Sequence, residues 1–232
     1  MGIPLPPAAI NEGPPVEPRP SATVLLLRDS DPWELLMVHR PGGADFAPGA
    51  YVFPGGTVHA ADTGWPDPIR FAAVREVFEE VGVLLARRGK RFARDADCER
   101  VRSATEKGAE FGSALRGLGL EPAFDRLVLF ARWITPAQLS RRYDARFYFA
   151  RMPAGQTVRP QEGEVTDWLW ISPNRALNDS AVTLVYATRA VLESVASGEP
   201  ASALLARARR LREVPVVEPR MVQTESGWVV ER

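Results

Sequence analysis

The chain has 232 residues, 45% of them apolar and 25% charged, a globular balance that excludes a disordered, collagen-like or fibrous protein. Lys plus Arg and Asp plus Glu are 29 each, so no net field draws the chain to nucleic acid or to a membrane, and no apolar run reaches the roughly 18 residues of a membrane span. A single cysteine, Cys98, excludes an internal disulfide framework and a cysteine-based zinc site.

Residues 1–20 hold seven prolines and few large apolar groups. They read as an extended, poorly ordered arm ahead of a single domain over 21–232. Residues 22–28 form an apolar run of strand length. Asp29-Ser30-Asp31-Pro32 is a turn cluster, and 33–39 reads as the returning strand of a hairpin. After a Gly- and Pro-rich loop over 41–49, Tyr51-Val52-Phe53 is a short strand that stops at Pro54-Gly55-Gly56, and 57–67 looks irregular. Apolar spacing predicts a helix over 69–85, with Pro68 near its start and Gly82 near its end. Residues 86–119 are charged and weakly periodic, which predicts a helical insertion with helices near 96–106 and 110–115. Strands are expected at 127–133, 146–151 and 167–171, and a short helix over 173–177. Further helices are expected over 182–196 and 201–212. Two short tail strands, at 216–217 and 228–230, complete a C-terminal region of helices and hairpin over 180–232, with Ser226-Gly227 as a turn. Mixed strands with helices before and after them predict an α/β (α+β) sandwich.

The 69–85 helix carries the chemistry. At about 100° per residue, Glu76, Glu79 and Glu80 share one face and Phe71, Val74, Phe78 and Val81 the opposite one. Ala72 and Ala73 add little bulk, so the helix should pack its apolar back on a sheet and leave an open acidic front. Like charges three and four residues apart repel. A divalent cation relieves that repulsion, and carboxylate oxygens suit Mg²⁺ or Mn²⁺. The same pattern also describes a solvated acidic face, and these residues alone leave both readings open.

Phe53-Pro54-Gly55-Gly56 followed by Arg75-Glu76-Val77-Phe78-Glu79-Glu80-Val81-Gly82-Val83 resembles the Nudix box. The family pattern is Gly, five residues, Glu, seven residues, then Arg-Glu-U-x-Glu-Glu-x-Gly-U, with U aliphatic. The second half matches at every specified position. The first half departs twice. With five residues intervening after Gly56, the acid is Asp62 rather than Glu, and twelve residues, not seven, separate it from Arg75. Counting back from Arg75 gives Asp67 instead; Asp62 keeps the glycine-side register and is preferred. The resemblance spans roughly residues 21–175 and implies the Nudix α/β/α sandwich with a mixed sheet.

The resemblance also implies roles. Glu76, Glu79, Glu80 and the carbonyl of Gly55 would hold Mg²⁺ or Mn²⁺, and Arg75 would pair with Glu79 or with Asp62. The reaction would be hydrolysis of a diphosphate by a metal-activated water. Many members supply a base from the loop before a strand ending Trp-U-Ser/Thr-Pro. That loop here is 154–165 and holds Glu162 and Glu164. Glu164, next to the strand, is favoured over Glu162, with Glu76 as the base if neither serves.

Four further runs resemble the branch that contains a peroxisomal coenzyme A diphosphatase. They are the run from Phe46 to Gly56, Arg132-Trp133-Ile134-Thr135-Pro136, Arg142-Tyr143-Asp144 and Trp168-Leu169-Trp170-Ile171-Ser172-Pro173. The branch implies cleavage of CoA or acyl-CoA to 3′,5′-ADP and 4′-phosphopantetheine. Alternatives are ADP-ribose, NADH or another nucleoside diphosphate derivative as substrate, and a non-catalytic, nucleotide-sensing domain. Candidate substrate contacts are Arg40, Phe53, Arg132, Arg142 and Trp133, with Trp170 expected in the core. His39 and His59 are expected to carry no chemistry. The expected partner is a small nucleotide diphosphate, not nucleic acid or a membrane, and a homodimer stays open. With no basic-then-apolar leader and the final residues Val230-Glu231-Arg232 lacking a peroxisomal tripeptide, a reducing cytoplasm is the expected setting.

Overall fold

The computed structural model describes residues 10–43, 47–160, 165–224 and 227–231. The first half contains β1 (Arg19–Arg28), β2 (Glu34–His39), β3 (Tyr51–Val52), β4 (Gly55–Thr57), a 3₁₀ turn (Ala60–Gly64) and α1 (Pro68–Val81). An insertion follows with β5 (Ala86–Arg88), β6 (Arg91–Phe92), α2 (Asp95–Glu106), α3 (Phe111–Gly117) and β7 (Glu121–Pro122). After a second 3₁₀ turn (Phe124–Arg126) come β8 (Val128–Ile134), β9 (Tyr143–Arg151), β10 (Asp167–Ile171), α4 (Pro173–Asn178), α5 (Tyr186–Val195) and α6 (Ala201–Arg209). The tail adds β11 (Val216–Val217), β12 (Arg220–Thr224) and β13 (Gly227–Glu231).

β1 is the spine of a mixed sheet ordered β10-β2-β1-β9-β8-β11, with β3 on β2 and β4 on β1. It runs parallel to β9 and antiparallel to β2 and β4. Helices cover both faces. Ala22, Val24 and Leu26 join the core under α1, α2 and α3, while Leu25 and Leu27 join the core under α4, α5 and α6. The period of two is therefore present in β1 but masked, because a strand buried on both sides is apolar at every step. The result is the α/β/α sandwich expected.

Several boundaries differ from expectation, each for a local reason. Of the arm expected over 1–20, residues 1–9 lie outside the described residues, and the rest is an exposed stretch tied down at both ends. Ile10 bridges Leu139, and β1 begins at Arg19, where Arg19 and Pro20 align with Tyr143 and Asp144. Proline lacks a donor but keeps its carbonyl, and Pro20 accepts the Val58 N–H at 2.9 Å. α1 stops at Val81 rather than 85 because Gly82 takes the left-handed conformation at φ 69° and donates to Phe78 at 2.9 Å. Val83, Leu84 and Leu85 stay buried without being helical, so burial mimicked a helical period. α5 starts later than 182 because Leu184 bridges Tyr51 and the Thr183 carbonyl accepts the Tyr51 N–H at 2.9 Å. The strands of the insertion, β4 and β12 were not foreseen; all are short, and β4 is glycine-led.

The insertion is part of the core. Phe111 of α3 packs against Phe71 and Phe78 of α1, with centroids 5.7 and 5.4 Å apart, and Trp65 stacks on Phe71 at 4.4 Å. Cys98 lies buried there, and burial pushes its thiol up to about 11, which leaves it a small core residue rather than a nucleophile.

Candidate active site

Arg75 organises the site. Its guanidinium has five N–H donors, and all five are used. Nε and Nη2 reach the two oxygens of Asp62, each at 3.0 Å, and Nη1 reaches Glu76 at 2.7 Å and Glu79 at 2.8 Å. Nη2 also donates to the Thr57 carbonyl at 2.8 Å. Burial by itself would lower the guanidinium pKa. The hydrogen bonds it donates to Asp62 and the charges of Glu76, Glu79 and Asp62 outweigh it, so the net direction is up.

The acid that pairs with Arg75 is Asp62, which is fully buried and also accepts the His59 N–H at 2.7 Å. The 3₁₀ turn places it there, so the longer box loop is absorbed between that turn and α1. Asp67 serves α1 instead. Its side chain accepts the Arg70 N–H at 3.0 Å and caps the helix.

The acidic front of α1 is not the open, solvated face its spacing suggested. The side chain of Glu79 is 42% exposed, but that of Glu76 is only 13% exposed, and Glu80 is buried. β4 lies across them. The Gly55 N–H donates to Glu80 at 2.9 Å. A Cβ on Gly56 would sit 2.4 Å from the Glu76 carboxylate, and one on Gly55 would sit 2.3 Å from the Ala22 carbonyl oxygen. The glycine pair thus lets backbone lie where no side chain fits. Burial raises the Glu76 pKa, against the pull of Arg75.

Among the described residues no three carboxylate, imidazole or thiolate groups converge on one point, because Arg75 draws Glu76 and Glu79 while Gly55 draws Glu80. The donor chemistry nevertheless fits a hard divalent cation. Glu76, Glu79, Glu80 and the Gly55 carbonyl are all oxygen donors, set beside a cradle that a Cβ at Gly56 would fill.

The remaining candidates separate. Phe53 and Trp133 are buried in the core under α5 and α6, across the sheet from α1. They lie in the core cluster opposite the one that α1 joins, so the structure does not bring them together with the carboxylates. Arg132 forms a two-pronged pair with Asp144 at 2.6 and 2.7 Å. Arg142 is buried and binds the Thr135 and Val16 carbonyls and Glu218, at 3.0, 2.9 and 2.9 Å. Both arginines are held by partners within the chain and are not brought together with the α1 carboxylates. Trp170 is half-buried against the α1-side core, under the Arg28 guanidinium. Arg40 is half-buried just past β2 and donates its N–H to the Ala50 carbonyl at 3.0 Å, on the strand end that leads to β3 and β4. Glu162 and Glu164 lie outside the described residues. The Thr57 carbonyl was not foreseen as an Arg75 partner. A backbone acceptor leaves no mark in residue identity.

Residues 65–188 match the family model described as the NUDT19 Nudix domain, more than half of the chain. The chain is 30% identical over 161 residues to a Caenorhabditis elegans protein carrying the provisional name nudix hydrolase 7, covering 69% of this chain and 54% of that one. It is 28% identical over 209 residues to the Gallus gallus protein named acyl-coenzyme A diphosphatase NUDT19, covering 62% and 55%. It thus spans about half the length of the curated relatives it matches. The crystal structure of a NUDIX hydrolase from Alicyclobacillus acidocaldarius superposes with a TM-score of 0.69 at 25% identity, over 82% of this chain and 96% of that one. No helix among the described residues is long and apolar enough to cross a membrane. The box half that runs from Arg75 to Val83 lies within the matched region, on the last two turns of α1 and its glycine cap, and the chain belongs to the Nudix family.

Proposed function

We propose that this protein is a metal-dependent hydrolase of a diphosphate linkage, acting on CoA or acyl-CoA to release 3′,5′-ADP and (acyl-)4′-phosphopantetheine. The observation that carries the chemistry is the saturated Arg75 guanidinium, which gathers Asp62, Glu76 and Glu79 beside the Gly55-Gly56 backbone. The substrate reading is supported by likeness to the chicken protein and by the sequence runs around Pro54 and Trp168. Glu76, Glu79, Glu80 and the Gly55 carbonyl would hold Mg²⁺ or Mn²⁺. Such an ion, when bound, neutralises charge developing on phosphate oxygens and lowers the pKa of the attacking water. Arg75 sets the carboxylate positions, and Asp62 locks Arg75. Glu164 or Glu162 takes the proton from the water, and Arg40 contacts the substrate. A small-molecule partner in a reducing cytoplasm belongs to the same reading.

The test is product chromatography with CoA, ADP-ribose and NADH, each with Mg²⁺, Mn²⁺ or EDTA. CoA should yield 3′,5′-ADP only with metal. AMP from ADP-ribose with CoA inert would keep the chemistry and move the substrate. Nucleotide binding without any product would point to a non-catalytic sensor.

A further inference from the structure

Away from the carboxylates of α1, five arginines from five parts of the chain converge on one groove of about 360 Å³. Arg91 comes from β6, Arg94 from the N-terminal cap of α2, Arg126 from the second 3₁₀ turn, Arg151 from the end of β9 and Arg209 from the end of α6. All five are exposed. The floor is apolar, made by Leu85, Phe92, Met152 and Leu205, with the Arg126 guanidinium 5.2 Å above the Phe92 ring. Among the described residues no carboxylate lines the groove, and no lining residue belongs to α1, β4 or the Asp62 turn.

In a chain whose formal charge is zero, such a gathering of one sign is a property of the fold rather than of composition. Like charges brought together repel, and the protein only partly offsets this. Arg91 pairs with Asp97 at 3.1 Å, Arg126 with Asp125 at 3.3 Å, and Arg151 with Asp29. All three carboxylates stand outside the lining, and each guanidinium keeps further donors. Arg94 and Arg209 form no ion pair with a carboxylate among the described residues. Convergent guanidinium donors favour a phosphate dianion, which accepts several charge-assisted hydrogen bonds at once. The apolar floor favours a carbon-bearing ligand over a bare ion, and the volume is that of a small molecule rather than of a peptide or nucleic acid strand.

We propose that this groove, where the insertion meets α6 across the end of β9, binds a small organic phosphate monoester at a site separate from the carboxylates of α1. The test uses two probes, inorganic phosphate and phenyl phosphate, titrated into the full chain in EDTA and read by amide NMR shifts and calorimetry. Phenyl phosphate should bind about tenfold more tightly than inorganic phosphate, since its ring removes apolar surface from water, and the amides of Phe92 and Met152 should shift. An Arg94→Gln/Arg209→Gln double variant, changed only at exposed side chains, should lose about tenfold or more in affinity for both probes. Phe92→Leu should weaken phenyl phosphate alone, and Glu79→Gln should change neither. The proposal is overturned if neither probe binds below 10 mM (roughly the weak end of ligand affinity), if the double variant binds as wild type does, or if Glu79→Gln abolishes binding. The last result would place the anion at α1. None of these outcomes depends on turnover.

Discussion

Arg75 gives up its water for five acceptors, and their environments differ sharply. Asp62 is fully buried, whereas the side chain of Glu79 is 42% exposed. Removing one partner of a buried ion pair leaves an uncompensated charge, while an exposed pair contributes little. Asp62→Ala, measured by urea unfolding in EDTA, should cost about 3 kcal/mol or more, and Glu79→Gln less than about 1 kcal/mol. Equal losses would mean that Asp62 does not lock Arg75. The burial of Glu80 also makes Gln the substitution of choice at that position, because an amide oxygen can still accept the Gly55 N–H. For the proposed base the readout is the pH profile. Of Glu164→Gln and Glu162→Gln, the base variant should lower turnover by about 10²–10⁴ and remove the acidic limb. If both remain within about tenfold of wild type, the role passes to Glu76. The side chains that meet Arg75 were largely legible in the sequence, because motif spacing names side chains. The closeness of Gly56 to Glu76 and the Thr57 carbonyl were not, because both are contacts made by backbone from elsewhere in the chain.

At the level of elements, the insertion is held onto α1 by aromatic packing and pinned internally by Asp97. Burial by itself would raise the Asp97 carboxyl, but the Arg94 N–H at 3.1 Å and the charges of Arg91 and Arg88 outweigh it, so its pKa lies below the ordinary 3.8. A carboxyl depressed by folding adds stability above its unfolded pKa and loses it as pH falls through the folded value. The Tm advantage of wild type over Asp97→Asn should therefore be full near neutrality, shrink below pH 3.8 and then vanish. An advantage that grows with acid would contradict this. α2 and α3 were legible within one or two residues because they are long enough to show a period. The insertion's three strands, of two or three residues each, are too short to show one and exist only because they pair with one another.

Across the whole molecule, Arg142 ties three distant segments together. It reaches Val16 ahead of β1, Thr135 after β8 and Glu218 in the tail. Its replacement should act on stability rather than on substrate. Arg142→Ala should lose roughly 2–4 kcal/mol in urea unfolding, since several charge-assisted hydrogen bonds go together. The KM of the proposed reaction should stay near wild type. A KM raised tenfold at unchanged stability would return Arg142 to the substrate site, about 1.4 kcal/mol of lost binding.

Read from residues alone, this chain already showed a two-sided sandwich, a helix carrying Arg75, Glu76, Glu79 and Glu80, and a glycine turn ahead of it. Apolar period and motif spacing are local properties, written in one dimension. Other features depended on which distant segments meet. Packing chose Asp62 over Asp67 as the partner of Arg75, closed β4 over Glu76 and Glu80, turned Phe53 and Trp133 to the far side of the sheet, and tied Arg132 and Arg142 into the fold. The physical reason is the same in each case. Desolvation and charge pairing are set by what lies within a few ångströms in space, and for these side chains the deciding neighbours come from other strands and turns.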